Sequence, residues 1–202
     1  MARDVGGLIV TKKSLKKIWW AITICYIMLI YATLGFAPAI WKNLNTLLQG
    51  KGVLAQYIIY SLIGIIAIIY IVFIKKERAI NRYFLFLLFI GMSFIMLKLE
   101  KNPGEKIHLA EYGLLGVLLY NALKIDFDRF SPKLYIYGSL ICVLAGAFDE
   151  VIQWLLPNRY FTLHDIFVNG LSGIIALLVT RFNILASLPS LPIYIRKKAD
   201  FS

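Results

Sequence analysis

Six long apolar segments divide this chain, at residues 18–36, 53–74, 83–97, 107–123, 134–156 and 166–180. A helix rises 1.5 Å per residue, so crossing a hydrocarbon core of about 30 Å takes roughly 20 residues. The first, second and fifth segments are long enough alone, and the other three become so when their polar flanks are counted as helix. The expectation is an all-α polytopic membrane bundle of six transmembrane helices, forming one domain over residues 1–202. Composition agrees: 60% of the residues are apolar and only 16% charged, which argues against both a water-soluble fold and a disordered chain. The basic start, with Ala37-Pro38-Ala39 behind the first segment, looks like a secretory leader, but the length of the segment and the five that follow favour a retained anchor.

A net charge of +11 would fit a nucleic-acid partner if the cations were gathered on one polar surface. They are distributed by side instead. With the N-terminus inside, the outer connections and outer helix ends hold Lys42, Lys51, Lys98, Lys101, Lys106 and Arg159, and the rest of the 22 Lys and Arg fall on the cytoplasmic side. Short cytoplasmic loops collect Lys and Arg, so both termini are expected in the cytoplasm and no nucleic-acid partner is required. Trp19, Trp20 and Trp41 near span ends fit interfacial anchors. Two connections carry apolar residues without being long enough to span: residues 38–52 and 184–195 are expected to lie along the membrane surface. Cys25 and Cys142 sit inside apolar stretches, as small packing residues rather than disulfide partners. No internal repeat or inverted symmetry is visible.

Ionisable residues inside spans are costly, and each invites a functional reading. The first three spans carry none; the last three gather nearly all of them toward the outer side. His108, Glu111 and Tyr112 are spaced i, i+3, i+4 and share one helix face. Asp149 lies two turns before Pro157, with Gln153 four residues on and Glu150 beside it. Asp165 and Asn169 repeat the i, i+4 spacing in the last span, and Arg159 sits in the connection before it. Blander readings stand beside these. Asp165 also fits a helix N-cap, Lys106 and Arg159 fit snorkelling cations, and His164 fits a surface histidine. Gly113, Gly116, Gly146, Gly170 and Gly173 fit close helix packing. Adjacent buried carboxylates at Asp149 and Glu150 are harder to explain by packing alone.

Glu105-Lys106-Ile107-His108 with Glu111-Tyr112-Gly113, then Asp149-Glu150-x-x-Gln153 with Pro157-x-Arg159, then Asp165-x-x-x-Asn169 with Gly173, resembles the VanZ-like family of bacterial membrane proteins. The resemblance is specific from Glu105 to Gly173, with Asn158 standing where many members have glycine. It implies a small multi-pass protein of the bacterial cell membrane, from a family associated with resistance to the glycopeptide teicoplanin.

The expected function is an outer-leaflet pocket that binds, and modifies, a lipid or lipid-linked cell-envelope precursor bearing a phosphate. His108, Asp149, Glu150 and Asp165 are the candidate general acids and bases, and Lys106, Glu111, Tyr112, Gln153, Arg159 and Asn169 the candidate binding residues. No cofactor is assigned. Asp149, Glu150, Asp165 and Asn169 could supply oxygen ligands to a divalent ion such as Mg²⁺, although no sequential metal signature is present. The alternatives are a proton-coupled transporter and a non-catalytic envelope-protecting protein whose polar cluster only fixes helix packing.

Overall fold

The computed structural model describes residues 11–69, 80–99, 106–128, 130–157 and 159–181. The basic stretch at 75–79 expected on the cytoplasmic side, the end of the second apolar segment, Glu105, Asn158 and the segment 184–195 lie outside these residues. Seven helices run in order through the described residues, with no strand among them: α1 Lys12–Thr33, α2 Ala37–Leu47, α3 Gly52–Ile69, α4 Ile80–Leu99, α5 Lys106–Leu123, α6 Pro132–Leu155 and α7 Leu163–Arg181. Three of them are long and apolar enough to cross a membrane: α1, α6 and α7 over Leu163–Thr180. In α3, Gly52–Ile66 is apolar but shorter.

The first helix starts earlier than its apolar segment, and for a local reason. Thr11 stands in extended geometry and its Oγ1 accepts from the Ser14 amide, so the charged turn Lys12–Lys17 is helix rather than loop. α1 then stops at Thr33. Residues 34–36 form a turn, and α2 begins with Pro38 in its first turn. α2 falls in the connection between the first two apolar segments, and it buries none of its residues. Its return into α3 uses Gln49 and Gly50 at positive φ, and the Gly52 amide donates to Asn45 Oδ1 at 3.0 Å.

α5 is the centre of the molecule. Apolar residues occur all around it, the pattern of a helix enclosed by others, and Tyr112, Leu115, Leu119, Tyr120 and Leu123 are buried on it. α7 lies against α5 along a seam of small residues. A methyl group added at Gly116 would meet the Gly173 carbonyl and approach Ala176 Cβ to 3.0 Å, and one added at Gly173 would come within 2.8 Å of Cys142 Cβ. α6 closes the same core through Leu134, Cys142 and Ala145. Its opposite face leaves Ile136, Leu140, Leu144, Phe148 and Val151 exposed at four- and three-residue intervals, a continuous apolar stripe of the kind that faces lipid. α1 covers the core with Trp20, Tyr26 and Ile27. Both cysteines are free, Cys142 buried and Cys25 exposed.

Candidate functional site

The i, i+3, i+4 spacing on α5 does what it implies: His108, Glu111 and Tyr112 turn toward the second half of α6. His108 Nδ1 lies 3.0 Å from Glu111 Oε2 and 3.5 Å from Asp149 Oδ2, so one imidazole nitrogen faces two carboxylates. The Tyr112 hydroxyl reaches Asp149 Oδ2 at 3.0 Å and the Ala145 carbonyl at 3.1 Å. Gln153, one turn beyond Asp149, donates through Nε2 to Asp149 Oδ1 at 3.2 Å. Its Oε1 accepts from Arg159 Nη2. Asn169 of α7 completes the ring, with Nδ2 at 3.5 Å from Asp149 Oδ2. Asp149 is thus 0% exposed yet surrounded by donors, the arrangement a buried carboxylate requires.

The remaining anticipated residues are placed differently. Glu150 is also 0% exposed, and its Oε2 accepts from the Thr162 amide at 2.8 Å, so it ties the α6–α7 connection to α6. Lys106 is buried rather than at a rim. Its ammonium donates to the Tyr57 hydroxyl at 3.2 Å and stands 5.1 Å from that ring's centroid, which points it toward α3. Asp165 is partly exposed in the first turn of α7, where a carboxylate favours the positive end of the helix. It is not the N-cap: Thr162 is, its Oγ1 accepting from the Asp165 amide at 3.1 Å. His164 is exposed.

Sequence reasoning passed over a set of tyrosines in the first spans. From α1, Tyr26 donates to the Glu111 carbonyl at 3.1 Å and Tyr31 to the Ala145 carbonyl at 3.0 Å. From α3, Tyr60 donates to the Lys106 carbonyl at 3.0 Å. Ser172 of α7 likewise binds the Leu109 carbonyl at 2.6 Å. Only the presence of hydroxyls within apolar helices signalled them.

The geometry therefore unites all three sequence blocks in one buried acid–base network. The VanZ/LLP1 family model matches residues 20–185, which takes in every member of that network. The chain belongs to the VanZ/LLP1 family. No curated protein and no solved structure matches it. With family membership and its apolar helices, this VanZ/LLP1 chain is a membrane protein. Among its described residues, no three His, Cys, Asp or Glu side chains gather to hold a metal ion; Glu150 turns to the Thr162 amide of the α6–α7 connection. An open groove of about 470 Å³ lies elsewhere on this VanZ/LLP1 fold, along the first half of α6 between Tyr135 and Val143, and it is apolar.

Proposed function

We propose that this chain is a six-span protein of the bacterial cell membrane, both termini cytoplasmic, that binds and modifies a lipid or lipid-linked envelope precursor at the outer leaflet. One observation carries the reading. A partly exposed cation, Arg159, is joined through Gln153 to a fully buried carboxylate, Asp149, which is in turn within reach of His108 and Tyr112. A guanidinium is suited to a phosphate, which it can hold through two N–H groups. Directly behind it, a histidine flanked by two carboxylates can accept and return a proton. Glu111, with 22% of its side chain exposed, supplies a second path from the surface to His108. Any effect on teicoplanin susceptibility would run through the precursor so altered.

The test is lipid and precursor profiling by mass spectrometry of membranes carrying wild type, His108→Ala, Asp149→Asn or Arg159→Gln at matched protein levels. The wild-type change in profile should disappear in all three variants. If all three leave the profile as wild type does, the reading fails.

The complete burial of Asp149 and Glu150 favours a second reading, in which the network only locks helices together. In that case the same variants lower the thermal unfolding midpoint in detergent while the wild-type protein has no effect on membrane lipids. A proton-coupled transporter finds less support. Toward the other end of α5, Asn121 is occupied by the Val117 carbonyl and by Lys124, a local arrangement rather than a continuation of the network.

A further inference from the structure

The α6–α7 connection has two sides of opposite character. Its inner side is pinned: Arg159 binds Gln153, the Thr162 amide binds Glu150, and the Leu156 amide binds the Gln153 carbonyl at 2.9 Å. Its outer side is apolar and uncovered. Tyr160 is 83% exposed, Leu163 75% and Trp154 65%, and Phe161 is exposed with them. Exposed apolar side chains beside such pinned contacts mark a surface that meets a membrane or a partner. Two features identify the partner. Phe148 and Val151, within two turns of Trp154 on α6, and Phe167, one turn from Leu163 on α7, are exposed as well, on two helices long enough to cross a membrane. Arg159, next to Tyr160 in the chain, turns one guanidinium nitrogen inward to Gln153 and is itself partly exposed. Non-helical backbone is excluded from the hydrocarbon itself, whereas tyrosine and tryptophan concentrate at headgroup level.

From this we infer that the α6–α7 connection is a lateral docking surface for a bilayer lipid, with the anionic headgroup on Arg159 and the acyl chain along the exposed faces of α6 and α7. The inference rests on the proposed function for its assignment of the outer leaflet, and it names the substrate's route: from the plane of the membrane rather than from water. Docking here needs no chemistry at His108 and Asp149, so the two can be tested apart.

Single spin labels would be attached at Tyr160→Cys and Leu163→Cys, each in a Cys25→Ser background. The full chain is reconstituted into phosphatidylcholine vesicles with or without phosphatidylglycerol. Docking predicts that both labels collide more with oxygen than with a water-soluble nickel complex, relative to free label in buffer. It further predicts that phosphatidylglycerol slows the label at 160, that Arg159→Gln abolishes this slowing and that Arg159→Lys retains part of it. His108→Ala leaves both results intact, so loss of the chemistry alone is distinguishable. Preferential collision with nickel would place the loop in water and overturn the inference. Exclusion of both reagents would mean a protein partner or a second copy covers the patch, and would overturn it equally. An anionic-lipid response unchanged by Arg159→Gln would reject the assignment of the headgroup.

Discussion

Asp149 accepts from Gln153 and lies within reach of Tyr112, Asn169 and His108 without any contact with solvent. Removing it does more than delete one interaction, because the buried donors it serves lose their acceptor, at about 1–3 kcal/mol for each group left unpaired. Asp149→Ala should therefore lower the thermal unfolding midpoint in detergent far more than Tyr31→Phe. The latter leaves the Ala145 carbonyl its place in the hydrogen-bond ladder of α6 and should cost about 1 kcal/mol. Equal losses in the two variants would show that the network does not converge on Asp149. The same contrast explains what was legible. His108, Glu111 and Tyr112, and Asp149 with Gln153, were readable because helix spacing fixes which side chains share a face. The tyrosines of α1 and α3 were not, because three of them end on backbone carbonyls, and a carbonyl acceptor leaves no mark in the sequence. The burial of Lys106 was not legible for a related reason: its partner Tyr57 is 49 residues away.

Helices were legible where hydropathy changes sharply and less so where it does not. The fourth apolar segment, 107–123, becomes α5 with one residue added, since polar residues bound it on both sides. The sixth, 166–180, gains a turn at its start because Thr162 caps the helix there, a contribution that a hydropathy window does not register. The glycines read as packing residues prove unequal. At Gly116 a Cβ would run into the Gly173 carbonyl and the Ala176 methyl, whereas at Gly113 it would sit 3.6 Å from Ser172 Oγ, an ordinary contact. Gly116→Ala should push α5 and α7 apart at a cost of about 1–3 kcal/mol. Gly113→Ala should be neutral or slightly stabilising, since alanine is the better helix former by roughly 0.5–1 kcal/mol. Unfolding midpoints of the two purified variants compare them directly, and a tolerated Gly116→Ala would mean that the α5–α7 seam is looser than the backbone approach implies.

For the whole molecule, charge supplies the proposed orientation and contacts say which helix ends lie together. On the proposed topology the outer cations are matched one for one by Glu100, Glu105, Glu111, Asp149, Glu150 and Asp165, so the net +11 would belong entirely to the other side. Separately, Lys16 near the start of α1 pairs with Asp126 just beyond α5 at 2.7 Å, which puts the beginning of α1 and the α5–α6 turn at the same end of the bundle. The α6–α7 connection, a full helix length of α6 away, is then at the opposite end. Since basic ends stay in the cytoplasm, alkaline phosphatase fused after Tyr160 should be active and the same reporter placed after Asp128 inactive, while a green fluorescent protein joined to Ser202 should fluoresce. A silent fusion at Tyr160 with an active one at Asp128 would invert the protein, move the His108–Asp149 network to the inner leaflet, and make a cytoplasmic-side lipid its only accessible substrate.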